Sequence, residues 1–427
     1  MANTNTVAPE ILVDRMPEAD LEKSHPSIFK VMQDSELGKP STAEGVVQFC
    51  GLVCAPVNEG ITSAVFLPLQ ALASKDANLD TAKITMQVIA KYSRNKKRLG
   101  NNGQKDLDGS WLSTIKCIAD DFTEFGFYSD RQRIRGRNNG KANWTRTIVR
   151  ETPLIGNTGN IVYTNVLTSR AQDNHDNFLT QSQAVVLKEI TEQHGWWLPS
   201  LPQNMSQFQG FQTERISPSL RLLKLEALLP NLFSSRAIRL TNYLMEYFRR
   251  ILHNGKSAQL FGLDDFHTIW EGMLRDVLED TENGWNAKLP KPVFYKGLDS
   301  ERDEDKQMKM DIVIRQGADL VIVDAKYYAA TTTKNSPGMT DISKQLMYEL
   351  AVRDMESEDG VPHNLSSCFV FPASSPNTDG KFTAIKMGYE FNRPTSKLPS
   401  IHCYYMSIIE VMQAYLNNTK IHLPNHQ

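Results

Sequence analysis

The stretch LVIVDAKYY, residues 320–328, sets a carboxylate and an ammonium two residues apart in an otherwise apolar strand. Side chains alternate faces along a strand. Val321, Val323 and Ala325 therefore share one face, and Ile322, Asp324 and Lys326 share the other. A charged pair on such a strand costs free energy unless it is satisfied or used. Just upstream, in MKMDIVIRQGAD (308–319), DIVIR reads as a strand opened by Asp311 and RQGAD as a turn. The two strands predict a hairpin that carries Asp311 and Asp324. Further upstream, DDFHTIWEGMLRDVLED (264–280) spaces Phe266, Ile269, Trp270, Met273, Leu274 and Val277 as one helical face. Glu271 sits beside that stripe, with Asp276 and Glu279 as alternative acids. Downstream, TDISKQLMYELAVRDME (340–356) predicts a helix with Gln345 and Tyr348 one turn apart.

Acidic helix, strand with Asp, strand with Asp-X-Lys and helix with a polar pair suit phosphodiester hydrolysis. That reaction needs a divalent metal held by hard oxygen ligands, and two or three carboxylates can cradle it. A lysine beside them can position or help deprotonate the attacking water, or neutralise developing charge. Strand alternation lets Asp324 and Lys326 address one phosphate.

These residues resemble the PD-(D/E)XK nuclease superfamily, through Asp311 and Asp324-Ala325-Lys326, with Met310 where the name motif has proline. The resemblance is closer to McrC-like and LlaJI-like restriction nucleases. Those carry a similar Asp-Ile-Val strand, an Asp-Ala-Lys-Tyr strand and a Gln-containing helix, and RNNGKANWTRTI (137–148) looks like the Asn-Trp-X-Arg-Thr-Ile element of the LlaJI-like group. Together the similarity covers roughly residues 130–355. It implies catalytic roles for Asp311, Asp324, Lys326, Glu271 and Gln345, and Mg2+ held by Asp311, Asp324 and Glu271 in a one-metal or two-metal site. It also implies double-stranded DNA as substrate, 5′-phosphate products, and a McrB-like AAA+ NTPase partner. Tyr348 follows Gln345 by three residues, where RecB-like nucleases place a Tyr four after the Gln.

The remaining sequence sets bounds. At 427 residues, with 40% hydrophobic and 22% charged residues, the chain has the composition of a globular protein of two or three domains. A net charge of -2 neither favours nor excludes nucleic acid. Five scattered cysteines (Cys50, Cys54, Cys117, Cys368, Cys403) read as reduced core thiols. No apolar run reaches membrane-spanning length, and the polar start has no signal core, so a cytoplasmic protein is expected. The Gly255-Lys256-Ser257 triplet lacks the preceding glycine of a P-loop, so no nucleotide is expected on this chain.

Charge is uneven. Residues 91–150 hold 14 Lys/Arg against 6 Asp/Glu, centred on RQRIRGRNNGKANWTR (131–146). This segment reads as a flexible basic loop leading into a strand, TIVRETPLI. Arg131, Arg133, Arg135, Arg137, Lys141, Asn143 and Arg146 are its candidates for contact with DNA or with the partner. The expected organisation is a loosely ordered arm (1–45), an α+β DNA- or partner-binding domain (46–235), and a nuclease domain (236–427). The last would be an α/β/α restriction-endonuclease-like core with a mixed sheet, DIVIR and LVIVDAKYY at its centre, further strands at 368–374 and 381–391, and a helix at 405–417.

Three functions compete. The first is the metal-dependent endonuclease subunit of a bacterial restriction or phage-defence system acting with an NTPase. The second is a self-sufficient, dimeric type II restriction enzyme, in which residues 46–235 would recognise the target. The third is a non-catalytic scaffold, which an intact Asp311, Asp324 and Lys326 set argues against.

Overall fold

The computed structural model describes residues 9–34, 45–57, 60–72, 78–98, 109–174, 177–198, 201, 208, 211, 216–254, 259–296, 299–302, 307–359, 364–375, 380–388 and 396–424. The Gly255-Lys256-Ser257 triplet lies outside them.

Along the chain, β1 (Glu10–Val13) and β2 (Met16–Pro17) lead into α1 (Glu18–Ser24) and α2 (Pro26–Asp34). Then come β3 (Val46–Val47), β4 (Cys50–Val57), β5 (Gly60–Leu67), α3 (Asn78–Arg98) and α4 (Gly109–Phe125). The middle of the chain holds β6 (Asp130–Arg137), β7 (Lys141–Ala142), α5 (Trp144–Arg150), β8 (Leu154–Ile155), β9 (Ile161–Val162) and β10 (Leu167–Asn174). It continues with α6 (Phe178–His194), α7 (Pro218–Leu228) and α8 (Ser235–Asn254), the last two separated by a short 3-10 turn at Pro230. The final part holds β11 (Gln259–Leu263), α9 (Phe266–Val277), α10 (Trp285–Lys288), β12 (Val293–Lys296), β13 (Asp299–Arg302), β14 (Ile312–Gln316) and β15 (Asp319–Ala325). It ends with α11 (Met339–Asp359), β16 (Asn364–Ala373), β17 (Ala384–Ile385), β18 (Ile401–Ser407) and α12 (Ile408–Asn417).

Two compact units result. One is Thr114–Gly255; the other joins Val7–Ser113 to Lys256–Gln427. This differs from the expected boundaries at residues 45 and 235. β1 pairs in parallel with β5, and β11 pairs with β4. The resulting sheet, in order β1-β5-β4-β11, ties the start of the chain to its second half. Gly51 and Gly262 face each other across the β4–β11 pair, and a Cβ on either would collide with the opposite backbone. Residues 10–34 are not a loose arm. Leu12, Leu21, Ile28, Phe29 and Met32 are buried against Phe49, Val53 and Phe66, and that apolar burial anchors the segment.

The second sheet of this unit is mixed, in order β14-β15-β16-β18-β17. β14 is antiparallel to β15; β15, β16 and β18 are parallel; β17 runs antiparallel to β18. β14 is thus an edge strand rather than central. Residues 405–407, expected to open the last helix, end β18 instead, because Ile401–Ser407 is a strand the pattern reading missed. On one face Val313, Leu320 and Ile322 pack against Tyr348, Ala351 and Val352 of α11. Alternation sends Ile312, Ile314 and Val323 to the other face, where they too are buried. α9 buries all six residues of its predicted apolar stripe and packs on β15. Among the described residues all five cysteines are free, and no helix is long and apolar enough to cross a membrane.

In the Thr114–Gly255 unit the basic segment is not a loop. β6 pairs along its whole length with β10, and β7 pairs with the start of β10. Arginine at every second position of RQRIRGR is a period of two, the signature of a strand with one charged face. The expected strand TIVR is helical instead. Asn143 caps α5 by accepting from the Arg146 amide at 3.1 Å, and the Thr147 hydroxyl donates to the Asn143 carbonyl at 2.9 Å. Asn143→Ala is expected to destabilise this helix end by about 1 kcal/mol, read as faster amide exchange at residues 145–147 than in the wild type.

Candidate active site

The β14–β15 hairpin turns at Gly317, whose φ of +62° suits glycine. Its register pairs Ile312 with Val323, so Asp311 lies one step beyond, facing Asp324. Asp311 Oδ2 accepts from the Ala325 amide at 2.9 Å, and the two carboxyl groups are hydrogen-bonded to each other. Asp324 is 8% exposed. Burial raises its pKa well above the usual carboxylate range, the Asp311 carboxyl raises it further, and Lys326 only partly opposes them.

Lys326 follows the strand end, where its amide donates to the Val370 carbonyl at 3.0 Å. Its Nζ lies 2.9 Å from Asp324 Oδ2 and 2.8 Å from Asp341 Oδ1. Burial disfavours its charge, but the two carboxylates outweigh that and hold the pKa above the ordinary lysine value. In this arrangement Lys326 is a cation rather than a base. The expected sharing of one face by Asp324 and Lys326 holds. Asp341, in the first turn of α11, is a partner that sequence reasoning missed; its only signal was an acidic residue in the first turn of a predicted helix.

Glu271 lies in the middle of α9. Its side chain is bound by Arg275 one turn on, and Arg275 also donates to the Asp311 carbonyl at 3.1 Å. Among the described residues no group of three or more His, Cys, Asp or Glu is gathered to hold a metal ion. Asp311 and Asp324 face each other across the hairpin as expected, and the Glu271 carboxylate is engaged by the Arg275 guanidinium. A cavity of about 220 Å³, lined in part by Arg275, Glu282, Trp285 and Asn286, adjoins Asp311.

Gln345 does not face this edge. It is fully buried, and Nε2 donates to the carbonyls of Ile322 and Cys368 at 3.2 and 3.0 Å. It braces the strand that carries Asp324 from beneath, while its Oε1 has no partner among the described residues. Gln345→Leu is expected to cost about 1–3 kcal/mol, since two sheet carbonyls lose a donor. Chemical denaturation checks this. Tyr348 donates to the Lys309 carbonyl at 2.5 Å and so steadies the approach to Asp311.

Tyr327 has a larger role than strand-end packing. Its hydroxyl donates to Asp14 Oδ2 at 3.1 Å and accepts from the Leu69 amide at 2.8 Å. Asp14 Oδ1 accepts from the Phe49 amide at 3.0 Å. The Phe266 ring of α9 packs on Tyr327 at 5.4 Å, and the Arg15 guanidinium lies 5.7 Å from the Tyr327 ring centre. A residue next to Lys326 is thus bolted to the chain's first strand. Burial pushes the Asp14 carboxyl up to about 6 against the hydrogen bonds from Phe49 and Tyr327.

The other candidates lie in the other compact unit. Alternation along β6 places Arg133, Arg135 and Arg137 on one face of the strand, and the side chain of Arg131 lies outside the described ones. Arg133 and Arg135 are exposed, with no ion-pair partner among the described residues; Arg137 lies 3.3 Å from Glu151. Lys141 is exposed, Arg146 is half-buried, and Asn143 is engaged as a cap. Beside them runs an apolar surface no spacing predicted. Trp144 is 55% exposed, Ile148 and Val149 are exposed on α5, and Leu154, Ile155, Ile161 and Val162 are exposed on the β8–β9 hairpin.

Residues 65–409 match the profile of a family described as LlaJI restriction endonuclease. The chain is 28% identical over 172 residues to the type II restriction enzyme BsuMI component YdjA of Bacillus subtilis (strain 168). That match covers 38% of this chain and 35% of the relative, so it spans about a third of each.

Proposed function

The chain belongs to the LlaJI restriction endonuclease family, and from that premise we propose that it is a metal-dependent endodeoxyribonuclease subunit of a restriction system. Its core would be of the PD-(D/E)XK kind, with β14 and β15 as the motif strands. The observation that carries this reading is the meeting of Asp311, Asp324 and Lys326 at one end of the hairpin.

The donor set fits a hard divalent cation such as Mg2+. Two carboxyl groups in mutual contact, one of them nine-tenths buried and reluctant to ionise, are what a cation would relieve. Asp311 and Asp324 would hold it. When bound, such an ion supplies charge neutralisation at the phosphoryl oxygens and acidifies water. Lys326 would offset charge building on a non-bridging oxygen, held in place by Asp341. Water adds to phosphorus as the bond to the 3′ oxygen breaks, leaving a 5′-phosphate and a 3′-hydroxyl. Glu271 would join the site only if Arg275 released it.

A McrB-like AAA+ NTPase is the proposed partner. The exposed apolar surface on α5 and the β8–β9 hairpin supports a protein contact, and the naming of the Bacillus relative as a component supports a multi-subunit system. The arginine face of β6 would meet either DNA phosphates or that partner. The variant Arg133→Glu/Arg135→Glu separates the two: loss of DNA affinity by the chain alone points to DNA, and loss of NTPase stimulation alone points to the partner.

Plasmid cleavage by purified protein in Mg2+, with and without a candidate NTPase and nucleotide, tests the whole reading. Cleavage by the wild type and none by Lys326→Ala is the expected result. Cleavage by the chain alone would support the dimeric type II alternative. Equal cleavage by both proteins would sink the assignment of the site. DNA or partner binding with no cleavage in any lane would leave a scaffold.

A further inference from the structure

A groove of about 1090 Å³ opens beside the carboxylate edge, within the same compact unit. It runs between the segment entering β12, the segment entering β14, and the first turns of α11. Two of these walls also build the site. Lys309 precedes Asp311 by two residues, and its carbonyl is held by Tyr348. Thr340 is next to Asp341, the residue that holds Lys326. A ligand lying in the groove would therefore lead directly to the reacting edge.

The lining has a definite chemical character. It contains Lys291, Lys309 and Lys344 and, among the described residues, no acidic side chain. Lys309 and Lys344 are exposed and have no ion-pair partner among the described residues. Between the lysines the surface is apolar, made by Met308, Met339 and Met347. Tyr348 adds an aromatic ring to the lining. Cationic points alternating with apolar and aromatic surface suit a polynucleotide, whose phosphates meet ammonium groups and whose sugars and bases meet apolar faces. An apolar protein helix would use the methionines but would leave the lysines without counter-charges. The charge and the position beside Asp311 both favour nucleic acid.

Resting on the nuclease reading above, we propose that this groove seats the DNA strand running into the Asp311–Asp324–Lys326 edge, with Lys309 and Lys344 on its phosphates. The groove is then the substrate-binding surface of the nuclease unit, separate from the arginine face of β6.

The test measures binding of a labelled duplex, and of each of its single strands, to the full chain over a range of salt. It is repeated with the NTPase partner present if cleavage requires it. Lys309→Ala/Lys344→Ala is compared with wild type and with Lys397→Ala, an exposed lysine away from the groove; unchanged melting temperatures show that all three are folded. Each phosphate contact contributes a slope of roughly 0.9 in log K against log salt for duplex and 0.7 for single strands. The double variant is expected to lose close to two such increments, to bind at least about tenfold more weakly, and to cleave with raised KM and little change in kcat. A larger loss with duplex or with single strands identifies the form in which the strand enters. If wild type binds and cuts DNA and the double variant matches it in affinity and salt slope, the groove assignment is overturned while the nuclease reading stands. If DNA behaviour is unchanged and only partner binding weakens, the groove is a protein-docking surface and the proposal is wrong. If wild type neither binds nor cuts DNA under any condition, the nuclease reading falls and the groove assignment falls with it.

Discussion

Replacing Asp324 with Asn is expected to lower DNA cleavage at least about a hundredfold while leaving the protein folded. The carboxyl group sits between Asp311 and Lys326, and Asn keeps its size while removing its charge. The pH dependence follows from the raised pKa. A group held above its unfolded value contributes stability that is present at low pH and is lost as pH rises through the folded value. Metal-free wild type should therefore lose stability between about pH 4 and about pH 7 on account of Asp324, and a divalent cation should restore it. Thermal melts with and without Mg2+ check this apart from activity. The Mg2+-induced rise in Tm should be larger at pH 8 than at pH 5.5, and Asp324→Asn should abolish the difference. An equal Mg2+ effect in both proteins at both pH values would show that the cation binds elsewhere.

The second large effect concerns Asp14. Its carboxyl is buried, accepts from the Phe49 amide and the Tyr327 hydroxyl, and is pushed up to about 6 from 3.8. A shift of about two pKa units corresponds to about 3 kcal/mol. The sign is that of a raised carboxyl: the stabilisation is complete below about pH 4 and is lost as pH rises through about 6. Asp14→Asn keeps an acceptor for Phe49 and can donate to the Tyr327 oxygen, so it escapes the penalty of ionisation. Urea denaturation at pH 4.5 and pH 8 should show the variant gaining about 2 kcal/mol on wild type between the two, since about a third of the loss is already complete at pH 4.5. The comparison is of the two proteins at each pH, which cancels the titration of Asp324. A pH-independent difference would mean that Asp14 is not the titrating group.

The nuclease-like pattern was legible for a local reason. A period of two along LVIVDAKYY and a short hairpin connection suffice to bring Asp311, Asp324 and Lys326 to one place, and each of those signals lies within about twenty residues. The α9 stripe was legible for the same reason, since its 3.6-residue period is written in consecutive turns. The arginine strand carried an equally local signal, but its polarity led it to be read as a loop: alternation of charge rather than of apolar residues left its strand character unrecognised.

What only the tertiary structure decided involves residues far apart in sequence. Asp14 reaches Tyr327 because β1 joins β5 and β11 joins β4, a pairing of strands that no periodicity encodes. Arg275 binds both Glu271 and the Asp311 carbonyl because α9 crosses near the start of β14. Gln345 lies under the sheet rather than at its edge because the rotation of α11 is set by Tyr348, Ala351 and Val352 in the core. Sequence alone determined which side chains share a strand face or a helix stripe, because those follow from backbone geometry within one element. Which elements meet is decided by burial summed over the whole unit, and that sum places Asp14, Arg275 and Asp341 near a candidate site whose Asp311, Asp324 and Lys326 were already written in one hairpin.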